Sequence, residues 1–239
     1  MRLDCIVTLA NRAVRLRFLA MERSLRAVGC DLPLKVIPYD DARFDLPARA
    51  EWWELPEITR WLTRERAHPL MRKYQCLTLA GYQFVDADVC FLRDPAAVLA
   101  PLTGFVTSCG HWHNPAEATT AESRAWFAAR SSTWQKTVFN TGQFACDRAL
   151  YDFATLQARA QSAEFASTCL RLPFHEQPGI NLLVHAAGVP VQNLTLPPWN
   201  QQSTWAGDYP GEYARYWKTE PETPYLIHWA GVPMHIERP

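Results

Sequence analysis

Long apolar runs are missing from this chain. None of about 18 apolar residues occurs in its 239, which argues against a membrane-crossing helix. The opening stretch, MRLDCIVTLANRAVRLRF, is broken by charges, so it holds no signal-peptide apolar region. No CxxC pair occurs among Cys5, Cys30, Cys76, Cys90, Cys109, Cys146 and Cys169, so neither a zinc knuckle nor a redox pair is signalled. Their odd number and their scatter through apolar stretches predict free buried thiols in a reducing compartment, and the missing signals predict a cytoplasmic location. Charge of one sign is not in excess either. Lys+Arg and Asp+Glu stand at 24 each, which lends no support to nucleic acid or an anionic membrane as partner. Peripheral membrane association stays open.

What is present suits one α/β domain. The apolar fraction of 48% is ordinary for a globular chain. CIVTLA reads as a buried strand. In the following NRAVRLRFLAMERSLRAVG, Val14, Phe18, Met21, Leu25 and Val28 recur at helical spacing, and Gly29 is the expected stop. LPLKVIPY is a second strand, ended by Asp40-Asp41. This strand–helix–strand start predicts a partly parallel sheet. Residues 44–63 read as less regular. HPLMRKYQCLTLAG reads as a helix, with Pro69 in its first turn and Gly81 past its end. YQFVDADVCFLRDP reads as a strand running into an acidic triplet. GFVTSCG and VFNTGQFACD are two more strands. A helical stretch is predicted over 148–166, another helix starts in EQPGINLLVHAAG, and PYLIHWAG is the most strand-like piece of a loop-rich wrap over 197–239.

The triplet Asp86-Ala87-Asp88 carries the chemistry. Two carboxylates separated by one small residue repel unless a cation sits between them. Their place after the apolar YQFV puts them at the rim of a sheet, where α/β ligand sites form. Oxygen ligands of this type suit Mn²⁺ or Mg²⁺. Such an ion could bridge two phosphates of a sugar nucleotide and offset charge as the diphosphate leaves. The bland alternative is a solvated turn with helix-capping aspartates.

Six segments in order give the triplet a setting: IVTLANR (6–12), MRKYQCL (71–77), FVDADVCFLRDP (84–95), FNTGQFACDR (139–148), HEQPGINLL (175–183) and LIHWAG (226–231). In these the chain resembles the GT-A glycosyltransferases, particularly the retaining family 8 type and its DxD-containing relatives. The resemblance implies a single GT-A domain over 1–239, with a mixed, mainly parallel sheet flanked by helices. It implies a metal-dependent transfer, with retention, from a nucleoside diphosphate sugar (UDP expected) to a hydroxyl on a glycan, lipid-linked or small-molecule acceptor. By position, Thr8, Ala10 and Asn11 would hold the nucleoside, and Asp40 or Asp41 the base. Lys73 or Arg72 would face the donor phosphates or sugar. Asp86, Asp88 and His228 would bind the ion. Asn140 and Gly142 would line the donor sugar, and Gly231 closes the donor site. Glu176 and Gln177 would join Asn140 at the reacting centre.

Bland alternatives run beside these roles. Lys73 and Arg72 could be solvated helix charges, Asn140-Thr141-Gly142 a turn, Glu176 a helix N-terminal charge favoured by the dipole, and His228 a packing histidine. His111 and His113 could form a metal pair if on a strand, or lie in a surface loop. The tail aromatics, Trp199, Trp205, Tyr209, Tyr213, Tyr216 and Trp217, could stack on an acceptor or pack a lid. Two departures from the family pattern stand out. Glu176 replaces an Asp. The lysine expected after the His-x-x-Gly, which helps hold the leaving diphosphate, is absent, leaving His235 or Arg238 as candidate substitutes. Three other readings follow: a binding protein of the same fold with little or no activity, a DxD phosphotransferase, whose motif normally follows the first strand, and a nucleotidyltransferase, whose Gly-rich loop is missing from TLANRAVRLRF.

Overall fold

A computed structural model describes residues 1–173, 175–217 and 222–231. Its centre is a seven-stranded sheet in the order β3-β2-β1-β4-β7-β6-β8. The strands are β1 (Cys5–Ala10), β2 (Leu34–Pro38), β3 (Ala50–Trp52), β4 (Tyr82–Val85), β6 (Phe105–Thr107), β7 (Gln143–Cys146) and β8 (Val191–Asn193). β3, β2, β1 and β4 run parallel, as do β6 and β8, and β7 is antiparallel to both of its neighbours. The sheet is therefore mixed and mainly parallel, as predicted. A separate antiparallel pair joins β5 (Val89–Phe91) to β9 (Leu226–His228).

The continuous apolar reading of β1 follows from its position. Cys5, Val7 and Leu9 enter one core cluster while Ile6 and Ala10 enter the other, on the opposite face. A central parallel strand covered on both faces needs apolar residues at every step. α1 (Arg15–Ala27) lays Phe18, Met21 and Leu25 on the second cluster, with Val14 and Val28 half-buried beside them. Gly29 ends it at φ +83°, a conformation that glycine adopts without strain.

Several elements differ from the sequence reading. Residues 44–63 hold β3 and most of α2 (Pro56–Arg64), which buries Ile58, Trp61 and Leu62. The helix expected before the triplet is a ten-residue 3-10 helix, Pro69–Thr78. Three residues per turn stack Met71, Tyr74 and Leu77 in one row, all fully buried, and put Lys73 and Cys76 in the next. The strand entering the triplet stops at Val85, and a turn carries Asp86 to Asp88 before β5 begins. After α3 (Pro95–Leu99) and α4 (Ala121–Ala128), the helix expected over 148–166 starts only at Phe153 (α5, Phe153–Gln161), capped by Asp152, and α6 (Ala166–Leu170) is separate. α7 (Gln177–Ala186) forms where expected. Its Gly179 is required by packing, since a Cβ there would overlap the Tyr74 hydroxyl. The seven cysteines are unpaired and all buried except the half-buried Cys90. Among the described residues no helix is long and apolar enough to cross a membrane.

Candidate active site

Sheet direction assembles the site. β1, β2 and β4 are parallel, so their carboxyl ends meet at one edge, where open α/β sheets bind ligands. Asn11, Tyr39 and Asp86 follow those three ends. β7 runs the other way, so the loop before it, Asn140 to Gly142, reaches the same edge. The Asp86 N–H donates to the Gly142 carbonyl at 2.8 Å, locking the triplet to that loop.

His228 reaches the triplet through the small sheet. The register pairs Val89 with His228, and the Trp229 N–H donates to the Asp88 carbonyl at 3.1 Å. His228 Nε2 lies 3.5 Å from Asp86 Oδ2 and 3.4 Å from Asp88 Oδ1. The ligand atoms of the three residues lie within 4.8 Å of one another. The imidazole is 2% exposed and its Nε2 has no hydrogen-bond partner among the described residues. An orphaned buried nitrogen facing two carboxylates fits a divalent ion such as Mn²⁺. Gly142 makes this approach possible, because a Cβ there would overlap the His228 ring. Burial pulls the His228 pKa down, but Asp86 and Asp88 outweigh it and carry it to about 9. Burial pushes the Asp86 carboxyl up, but Lys73 and then His228 hold it at about 2.

Lys73 is not a solvated helix charge. Its ammonium is 2% exposed and donates to Glu176 Oε1 at 2.5 Å, to Asp86 Oδ1 at 2.9 Å and to the Thr141 carbonyl at 3.4 Å. Burial lowers its pKa, yet the two carboxylates raise it above the ordinary lysine value. Glu176 is the N-cap residue of α7, but its side chain makes no cap bond. It accepts instead from Lys73 and from Thr141 Oγ1 at 2.7 Å. Gln177 accepts from the Thr141 N–H at 3.0 Å and donates to the Glu117 carbonyl at 3.1 Å. Asn140 accepts from the Gly142 N–H at 2.6 Å. The loop is thus tied down residue by residue. Arg72 turns away, donating to the Pro38 carbonyl at 2.6 Å.

On the other side of the triplet lies a cavity of about 300 Å³, lined by Ala10, Asn11, Arg17, Tyr39, Asp86 and Asp88 among others. Asn11 donates to Asp40 Oδ2 at 2.7 Å and accepts from the Ala13 N–H at 3.1 Å, so Asp40 braces Asn11. Thr8 does not line the cavity. It lies in β1, fully buried, with a hydroxyl that has no hydrogen-bond partner among the described residues. Gly231, at φ +71°, has open space about its Cα. His111 and His113 sit on a 3-10 turn and face different tryptophans, Trp205 and Trp112. Tyr209, Tyr213 and Tyr216 pack with Trp229 beneath the tail, while Trp217 is exposed. His235 and Arg238 lie outside the described residues. Sequence reasoning did not single out Arg17 or Thr141. Thr141 stands inside a quoted segment, whereas nothing in the pattern marks Arg17 among the arginines of α1.

A scan against protein-family models finds no match, and no curated protein matches by sequence. Solved structures do match by shape. The bifunctional glycosyltransferase WbbM superposes with a TM-score of 0.56 at 13% identity, over 96% of this chain and 46% of WbbM. This chain therefore spans about half the length of that protein. The galactosyltransferase LgtC, in complex with donor and acceptor sugar analogues, gives 0.53 at 12% identity, over 95% of this chain and 87% of LgtC. An active-site mutant of LgtC gives 0.51 at 13% identity over the same shares. Sheet order, site edge and these superpositions agree: the chain has the GT-A glycosyltransferase fold.

Proposed function

We propose that the protein transfers a sugar from a nucleoside diphosphate sugar, with UDP as carrier, to a hydroxyl acceptor, with retention. The observation that carries this reading is the convergence of Asp86, Asp88 and His228 on the rim of a nucleoside-sized cavity. The donor and acceptor sugar analogues bound to LgtC support it by analogy of fold. The three residues would hold Mn²⁺ or Mg²⁺, which supplies electrostatic stabilisation of the leaving diphosphate. Ala10, Asn11 and Tyr39 would wall the nucleoside, with Asp40 fixing Asn11. Asn140 and Gly142 would line the donor sugar. Glu176 is engaged by Lys73 and Thr141, so its role is to hold the floor of the reacting centre rather than to attack. Gln177 positions the Thr141 backbone. Acceptor choice, among glycan, lipid-linked and small-molecule hydroxyls, falls to the loops and tail. The unpaired buried cysteines fit a reducing compartment, and the cytoplasm is the proposed location.

Calorimetric titration of UDP with and without Mn²⁺ tests the reading. Binding that requires the ion, and that is weakened in Asp88→Asn, is expected. A folded protein that binds no nucleoside diphosphate in a metal-dependent way overturns it.

A further inference from the structure

Among the described residues, the candidate site is short of available positive charge. A terminal phosphate carries about −1.5 to −2 charge at neutral pH, and a diphosphate carries more. Asp86, Asp88 and Glu176 add three carboxylates. Lys73 lies between two of these, buried and hydrogen-bonded to Glu176 and Thr141. Arg72 is bound to the Pro38 carbonyl, and Arg12 donates to the Arg43 carbonyl at 3.1 and 3.3 Å. None of these faces the cavity with a free donor fork.

Arg17 differs. It sits in the first turn of α1 and lines the cavity of the triplet. It also lines a neighbouring groove of about 1020 Å³ that runs past Asp88 to Trp229. Its side chain is 57% exposed, and its guanidinium lies 3.8 Å from Asp88 Oδ2. That distance exceeds hydrogen-bond range, so the donors are not consumed by the carboxylate. A planar fork of donors matches phosphate oxygens in pairs.

We propose that Arg17 is the cation that binds the donor's diphosphate and meets it again as the leaving group, the part for which the C-terminal segment offers no lysine. This rests on the sugar-nucleotide reading above. In that reading the nucleoside lies against Asn11 and Tyr39, and the ion lies at Asp86, Asp88 and His228. The diphosphate must then span the space between them, and Arg17 borders that space from the α1 side. Arg17 acts on phosphate and not on the base.

Calorimetry with two probes, UDP and uridine, each with Mn²⁺, tests this on wild type, Arg17→Gln, Arg17→Lys and the control Arg15→Gln. Arg17→Gln is expected to weaken UDP by roughly 10- to 100-fold, the range for a lost charge-assisted hydrogen bond. Uridine binding should not change. Arg17→Lys should recover part of the loss, and Arg15→Gln should bind UDP like wild type. Mn²⁺ affinity, read by electron paramagnetic resonance without nucleotide, should hold or tighten in Arg17→Gln, because a competing cation has gone. Equal UDP affinity in wild type and Arg17→Gln overturns the assignment while leaving the parent reading intact. Equal loss of UDP and uridine also overturns it, by pointing to a distorted cavity. A wild type that binds no UDP overturns both.

Discussion

The two sides of the candidate site handle charge differently. On the buried side, Lys73, Glu176, Thr141 and Asp86 satisfy one another at 2.5 to 2.9 Å. On the open side, Asp88 has Arg17 at 3.8 Å and His228 at 3.4 Å, and a buried imidazole nitrogen has no hydrogen bond among the described residues. A charge matched by tight internal partners belongs to the structure. Charges left with long contacts beside a cavity mark where a ligand completes the arrangement. The comparison therefore separates residues that build the site from those that wait for the substrate.

The largest expected effect breaks the buried side. Lys73→Met leaves Glu176 and Asp86 without their cation, and should destabilise the fold by about 3–5 kcal/mol. Arg17→Gln, on the open side, should change stability by less than about 1 kcal/mol. Urea denaturation of both variants checks the contrast, and similar losses would erase the distinction between the sides.

A smaller effect follows pH. In the metal-free protein His228 has a folded pKa of about 9, above the ordinary value of 6.5. A raised pKa means that the folded state holds the proton more tightly. The stability it contributes is complete below pH 6.5 and falls as pH rises to 9, by at most about 1.4 kcal/mol per pH unit. His228→Gln should flatten that slope. Mn²⁺ must displace the same proton, so its affinity should climb over the same window. Stability curves and Mn²⁺ titrations at several pH values check both directions.

The smallest effect sharpens the junction of the two sides. Gly142→Ala places a methyl where the His228 ring lies. It should cost about 1–3 kcal/mol by overpacking and weaken Mn²⁺ binding by displacing a ligand. Thermal melts with and without Mn²⁺ measure both, and an unchanged metal response would show that His228 is not required.

Much of the architecture was legible in the chain. The apolar run of β1, the stripe Phe18–Met21–Leu25 of α1 and the start of α7 come from local periodicity, which side-chain direction along a helix or strand dictates. Boundaries were less legible where packing overrode propensity. In 69–78, five consecutive buried residues, Lys73 to Leu77, leave no solvent-facing side to set a 3.6-residue period. The resemblance gave Thr8 to the nucleoside, but Thr8 is fully buried, on the sheet face it shares with Ile6 and Ala10.

By itself, the sequence determined the order of elements and the presence of two carboxylates at the end of an apolar strand. Those depend on neighbours in the chain, through periodicity, caps and turns. Only the tertiary structure decided that Asp86 meets Lys73 and Gly142, that Lys73 and Glu176 pair across 103 residues, and that His228 faces the triplet. It alone set Arg17 apart from the other arginines of α1. Sheet order, the β5–β9 register and the facing of one helix turn fix these contacts. Each is a choice among long-range packings, which no local pattern of residues specifies.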